Sequence, residues 1–411
     1  MRSTGNVPEI ALVMRRKSTL TSHLESDIIK KVRASDGISR VELSRVLGLA
    51  PSTAGIYVER LIKQGFIIEQ EKASREAGRP PVLLRLNPEG GCFIGVEFEA
   101  RNIRAVAVDF ADKPQRNAYR AIAEGEGVQR VLQKIEEAIE EVMPKDKSML
   151  LAIGAGAPGI IDSIRGVAVA YKYIDGWKNI PLRDRLKRRF KVPVFLVNSI
   201  RSMALAEFWF GQGRGLNDFI CLGVRSGIGA GMVLNGSLYR GGHFNSGLVG
   251  RWKCSIAPSS AAWFGYSRSE ASAVELQEVA SVRSIQQAIK KAIALGETTV
   301  LKKIQNEISF ADVVAAAQQR DALTLRILEE AASAIGQAIG RLNLAVDPTK
   351  VIMAGPLTLL GDIFLRPLRN AVHKTVGDAG IAEVEVVNST MGDYGGALGA
   401  AALALEEWKP N

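Results

Sequence analysis

Three stretches of the chain carry groups whose type and spacing suit chemistry. In "VPVFLVNSIRSMALAEFWFG", Val192 to Gly211, an apolar strand pattern ends at Asn198-Ser199 and passes straight into an alanine-rich helix. Strand ends of this kind face clefts in α/β proteins. This one offers an amide and a hydroxyl where proton transfer would need an ionisable group. The second stretch, "FICLGVRSGIGAGMVLNGSLYRGG", is a glycine-rich hairpin. The third is a helix starting at Pro51 or Ser52, whose first turn proline fits and whose orphan amides Ser52 can bond. Its apolar positions Ala54, Ile56, Val58, Leu61 and Ile62 leave Ser52, Thr53, Tyr57, Arg60 and Lys63 pointing largely away from the core, a face fit for DNA. In the loop that follows, Arg75 and Arg79 stand at a tip beside a glycine and suit a minor groove or a backbone phosphate. Cys92, Cys221, Cys254, His23, His243 and His373 are scattered without metal-binding spacing, so neither disulfide, structural zinc nor any cofactor is expected.

The elements that must position these groups follow from pattern and composition. A chain of 411 residues with 47% apolar content calls for two or three domains. No run of eighteen apolar residues and no secretory leader pattern occurs, so the expected protein is soluble, cytoplasmic and away from membranes. Residues 1–90 carry 15 Lys and Arg against 10 Asp and Glu, while the other 321 carry 38 against 33. The density of positive charge near the N-terminus suits a module that meets phosphates. From Glu25, an apolar helix face at Ile28, Ile29 and Val32 is followed by a short helix capped by Ser39 with Val41, Leu43, Val46 and Leu47, and Gly48 breaks it before the polar helix. Gly65 ends that helix, and "FIIEQ" and "PVLLRL" read as two strands of a wing. The expected divisions are an arm over 1–24, a winged helix-turn-helix over 25–88, and two lobes over 92–198 and 199–411, the last helix returning towards the first lobe.

After "NPEGG" the chain alternates strands and helices in two comparable halves, an α/β body with two lobes and a cleft. The pieces "GAPGIID" at 156–162, "GW" at 176–177, "IRSMALAEFWFG" at 200–211, "SGIGAGMVLNGSLYRGG" at 226–242 and "GALGAAALAL" near the end resemble the ROK family of repressors and sugar kinases. "AGRPP" at 77–81 is similar to the wing of its regulators. The resemblance covers nearly the whole chain from about residue 25 and implies an actin-like, sugar-kinase-like body behind a winged helix.

It also implies what has been lost. Family kinases open the body with Asp-x-Gly-Gly-Thr, where this chain has Glu97-Phe98-Glu99-Ala100-Arg101. Side chains replace both glycines, and Glu99 adds negative charge beside the phosphates. Their second phosphate turn, Gly-Thr-Gly-x-Gly, becomes Arg225-Ser226-Gly227-Ile228-Gly229, a residual turn. Their catalytic aspartate, at the strand end Asn-Asp, is matched by Ser199, which cannot serve as base near neutral pH. Where zinc- and sugar-binding members have Gly-Glu-x-Gly-His, this chain has Gly247-Leu248-Val249-Gly250-Arg251; the cysteine-rich loop is replaced by "SIAPSSAAWFGYSRSEASA", leaving Cys254 an ordinary buried cysteine. Tyr173 replaces an asparagine that many kinases place before "GW". Gln277 aligns with a sugar-binding glutamate. The pocket that remains, Asn198, Ser199, Asn245, Ser246, Arg251 and Gln277, is polar and poor in carboxylates. It is left for a sugar or sugar derivative, for an anion drawn by Arg251 and Arg225, or for no small ligand.

The expected function is therefore a DNA-binding transcriptional regulator, of repressor type, with an inactive kinase-like body for effector sensing and dimerisation. Its partner is a pseudo-palindromic double-stranded operator met by a homodimer or tetramer. The alternatives are a sugar kinase with an accessory DNA-binding domain and a regulator controlled by a protein partner.

Overall fold

The computed structural model describes residues 23–71, 82–304, 307–377 and 380–410. Helix α1 (23–33) buries Ile28, Ile29 and Val32. Helix α2 (Arg40–Val46) is capped by Ser39, whose hydroxyl accepts from the Glu42 amide while Glu42 reaches back to the Ser39 amide. Helix α3 (Pro51–Lys63) follows across a turn at Gly48, and β1 (Ile67–Glu71) pairs antiparallel with β2 (Val82–Leu86) as the wing. Two expectations fail in these helices. Val41 and Val46 lie outside the core, 69% and 56% exposed. Ser52 makes no cap, because Ala50 occupies the cap position and Ser52 already lies inside the helix, behind Pro51.

The first lobe is built on β3 (Cys92–Phe98), β4 (Asn102–Asp109), β5 (Pro114–Ala121), β6 (Leu150–Ala157) and β10 (Val194–Asn198), in the order β10-β6-β3-β4-β5. Strand β5 was not legible in the sequence, because it is an edge strand with most side chains in solvent. Helices α4 (Val128–Val142) and α5 (Leu182–Phe190) cover one face, and β7 (Ile160–Asp162), β8 (Val167–Ala170) and β9 (Lys178–Ile180) form a small flap. Helix α6 (Ser199–Phe210) then enters the second lobe. There β11 (Phe219–Val224), β12 (Ile228–Leu234), β13 (Ser237–Tyr239), β16 (Lys350–Ala354) and β17 (Glu385–Asn388) run in the order β13-β12-β11-β16-β17. Each sheet has three antiparallel strands followed by two parallel ones, so one topological plan is used twice. Between β13 and β16 lie the short ladder β14 (Lys253–Cys254) and β15 (Val274–Glu275), with α7 (Ala261–Phe264), α8 (Leu276–Ala280), α9 (Val282–Ala294), α10 (Phe310–Gln318) and α11 (Ala322–Val346). Helices α12 (Asp362–Val376) and α13 (Gly395–Glu407) close the chain.

Helices α6 and α13 pack on each other between the two sheets, α6 against β11 and β12 and α13 against β3 and β6. Small residues allow near-backbone contact. A Cβ added at Gly399 would sit 1.6 Å from the Ser202 carbonyl oxygen, and one at Gly154 would sit 1.7 Å from that of Ala400. The winged helix docks on the face of the first sheet that α13 covers, so one apolar cluster runs from Leu43, Val58 and Leu84 through Phe93 and Phe110 to Ala401 and Leu405. Trp408, just past α13, meets Phe66, Phe93 and Phe110 edge-on at centroid distances of 5.2, 5.7 and 5.7 Å. Beside it the nearly buried Arg33 pairs with Asp112 at 2.9 Å and lies 5.8 Å from the ring of Trp209 at the end of α6. Trp209 in turn donates its indole N–H to Glu406 at 2.7 Å.

Replacing Trp408 with Ala removes three aromatic contacts at this seam and should lower unfolding stability by about 2–3 kcal/mol. A shift in urea unfolding below about 0.5 kcal/mol, the size of a surface substitution, would show that docking does not rest on this cluster.

Candidate functional site

Two sites need separate description, the outward face of α3 and the cleft between the lobes. On α3, Ala54, Val58 and Leu61 are buried and Ser52 and Lys63 are exposed, while Thr53 is half-buried. Tyr57 departs from expectation, being half-buried against the apolar cluster. Arg60 is also engaged within the domain. Its guanidinium pairs with Glu25 at 3.1 Å and lies 5.4 Å from the Tyr57 ring centroid. The Glu25 side chain is only 4% exposed, so the pair is buried on its acidic side. Ile56, expected in the core, is instead 62% exposed. Arg75 and Arg79 lie outside the described residues.

At the cleft, Asn198 caps α6. Its Oδ1 accepts from the Ile200 amide at 3.0 Å, and its Nδ2 donates to the Gly159 carbonyl at 3.0 Å, tying the strand end to the loop before β7. Ser199 beside it is buried. One turn on, the buried Arg201 donates from Nη2 to the carbonyls of Phe244 and Ser246, at 2.6 and 3.0 Å, and so holds the loop carrying Asn245 and Ser246 against α6. Burial, and to a lesser degree Arg240, depresses its pKa. Ser246 donates its hydroxyl to the Tyr239 carbonyl at 3.0 Å, and Asn245 is exposed. Leu248 and Arg251 are also exposed, and Arg251 forms no ion pair among the described residues. Gln277 approaches the glycine turn, where a Cβ added at Gly227 would lie 4.0 Å from its Oε1. Its amide donates to Glu275 at 2.9 Å. Ser226 is gripped from the other lobe: Tyr171 and Ser226 hydroxyls lie 3.2 Å apart, and the Tyr173 hydroxyl donates to the Ser226 carbonyl at 3.3 Å. Arg283 lies over Tyr173 at 5.2 Å. Arg201 and Tyr171 were missed in the sequence, where an arginine in an alanine-rich helix and a tyrosine in a flap carry no local signature.

The strongest feature of the cleft joins the lobes. Arg225, at the end of β11, donates from Nη1 to Glu97 Oε1 of β3 at 2.5 Å and lies 3.9 Å from Glu99. Arg104 continues the chain of charges, 4.0 Å from Glu99 and 3.1 Å from Asp393. Both members of the central pair are buried, at 1% and 9% side-chain exposure. Burial is the largest influence on each. It lifts the Glu97 carboxyl above the usual carboxylate range despite Arg225, while at Arg225 the attraction of Glu97 and then Glu99 outweighs burial and raises the guanidinium. At 2.5 Å the guanidinium and the carboxyl form a buried salt bridge. Gly396 makes room for it, since a Cβ there would fall 2.7 Å from Glu97 Cγ. The expectation that Arg225 awaits an anion is therefore overturned, because its charge is already spent on two carboxylates.

The ROK family profile matches residues 93–407, and a winged helix-turn-helix DNA-binding profile matches residues 23–68. The chain belongs to the ROK family. It is 26% identical to a xylose repressor of Caldicellulosiruptor bescii over 385 residues, 92% of this chain and 94% of that protein. It is 28% identical to a glucokinase of Thermotoga maritima over 316 residues, 76% of this chain and 97% of the enzyme. A crystal structure of a ROK family transcriptional regulator, a homologue of the Escherichia coli Mlc protein, shares its fold with a TM-score of 0.78, at 22% identity and covering 94% of this chain and 97% of that one. A winged helix in front of a ROK body is the layout of a DNA-binding transcriptional regulator.

Within the ROK body, Glu97 of β3 and Arg225 just past β11 bond each other across the cleft. No group of three His, Cys, Asp or Glu that could hold a metal occurs among the described residues, and no helix there is long and apolar enough to cross a membrane. Cys254 donates to the Val274 carbonyl, and burial pushes its thiol up to about 11.

Arg225→Ala strands the buried Glu97 charge and should cost about 3–5 kcal/mol in urea unfolding at neutral pH. Adding Glu97→Gln removes the stranded charge and should recover part of that loss. Equal losses in the single and double variants would mean that the ion pair is not what holds the lobes.

Proposed function

We propose that this chain is a transcriptional repressor whose ROK body senses a sugar-derived effector and transfers no phosphoryl group. The observation that carries the reading is the Glu97–Arg225 pair. A phosphate cradle needs backbone amides open to the anion and a net positive field. Here a carboxylate points into that space, a second lies alongside, and the guanidinium between them is consumed. Ser199 supports the same conclusion from the acceptor side, since a serine hydroxyl beside no base takes no proton from a sugar. What the corner retains is binding capacity. Asn198 and Arg201 fix the walls, while Asn245, Leu248 and Arg251 remain exposed at the loop that Arg201 holds. The ROK relatives named for xylose and for glucokinase activity favour a sugar or sugar derivative as the effector class, over control by a docked protein.

In this reading a two-fold dimer presents two α3 helices to half-sites about one helical turn, or a multiple, apart. Electrophoretic shifts with the DNA upstream of the protein's own coding region should give sequence-selective complexes that weaken steeply with salt. Loss of selectivity against competitor DNA would overturn the repressor assignment. A coupled ATP assay over pentoses, hexoses and amino sugars should give no turnover above background, and sugar-dependent turnover abolished by Ser199→Trp would restore the kinase alternative. Among neutral sugars, sugar phosphates and sugar acids, one that raises the melting temperature and releases the operator identifies the effector.

A further inference from the structure

Ile56 is an exposed apolar residue on the face of α3 that the repressor reading turns towards DNA. At about 100° per residue, the buried stripe Ala54, Val58 and Leu61 lies on one side of α3, and Ile56 falls roughly opposite it, between Ser52 and Lys63. Isolated exposed isoleucines are common on protein surfaces. This one has two companions in argument. Gly55 precedes it in the helix, and an added Cβ there would meet nothing within 4 Å, so no internal packing explains a residue that weakens the helix. The arginine of the same face, the usual reader of guanine, is engaged within the domain although its side chain stays 47% exposed: Arg60 pairs with the buried Glu25 and rests on Tyr57. Of the acidic and basic groups nearby, Glu59 is paired to Arg40, which also holds Glu69. Lys63, exposed at the end of α3, supplies a charge suited to phosphate.

We infer that Ile56 reads thymine, its side chain packing on the 5-methyl group of one or two thymines in the major groove of each operator half-site. The inference rests on the repressor reading and deepens it by naming the base chemistry at the centre of the recognition face. An aliphatic side chain has no hydrogen-bonding group with which to distinguish the other base edges, and the thymine methyl is the one apolar feature the unmodified major groove presents.

The test uses the full-length protein and duplexes selected by it from a randomised library. Each thymine of the selected half-site is replaced in turn by deoxyuridine, which differs only by the missing methyl. Wild type should lose about fourfold in affinity at one or two positions, the effect of exposing one methyl-sized group. Ile56→Ala should bind the thymine duplex about that much more weakly and be indifferent to deoxyuridine at the same positions, with an unchanged salt slope because its phosphate contacts remain. Equal wild-type affinity for thymine and deoxyuridine at every position would overturn the inference, as would full discrimination retained by Ile56→Ala. If no selective duplex emerges, the repressor reading itself falls and takes the inference with it, a result distinct from selective binding that ignores the methyl.

Discussion

Helix α13 can exist where it does only because its contact residues are nearly bare backbone. Its glycines and alanines bring it against β3 and β6 on one side and α6 on the other at distances that no larger side chain would tolerate. That closeness fixes the spacing of the two sheets, and so decides where the residues of the cleft can meet. It also carries the C-terminal Trp408 into the aromatic cluster beneath the winged helix. One helix from the second lobe therefore sets the geometry of the first lobe, the cleft and the DNA-binding domain together. Small side chains forgo their own hydrophobic contribution, and the dispersion contacts of closely approaching main chains compensate.

Within that frame the cleft is sealed on one side by charge and left open on the other. Glu97, Glu99, Arg225, Arg104 and Asp393 form a chain of three acids and two bases, so the place that would face a nucleotide tail is filled and slightly negative. The corner at Asn198 and the loop of Asn245 carry no carboxylate, and Arg251 stands free of ion pairs among the described residues. The two sides of the cleft therefore differ in charge, the first rich in carboxylates and the second without them. Tyr171 and Tyr173, reaching from the first lobe to Ser226 of the second, add neutral bonds that tie the lobes without occupying the corner.

What could be read from the sequence was local. The Ser39 cap, the helix after Pro51, the strand ending at Asn198 and the glycine hairpin all announce themselves within a few residues, and the structure has them in place. What could not be read was pairing over distance. Glu97 and Arg225 are 128 residues apart, and alone one looks like a longer acid in place of the motif's aspartate and the other like a lost glycine; Arg60 looks free until Glu25 is found beneath it. The failures at Val41, Val46 and Ile56 have one cause. An apolar side chain does not by itself imply burial, since much of any folded surface is apolar. Strand β5 was missed for the converse reason, since its polar edge leaves no alternation to see.

Helix α6 has no break over its 12 residues, a rod of about 18 Å. Asn198 caps the end that borders the cleft, and Trp209, close to the other end, lies under Arg33 of the winged helix. A rod without a joint cannot tilt at one end alone. A ligand that turned this cap would move the Trp209 end with it, and by thermodynamic reciprocity DNA that preferred one tilt would change that ligand's affinity by the same factor. Induction and operator release would then be two readings of a single angle.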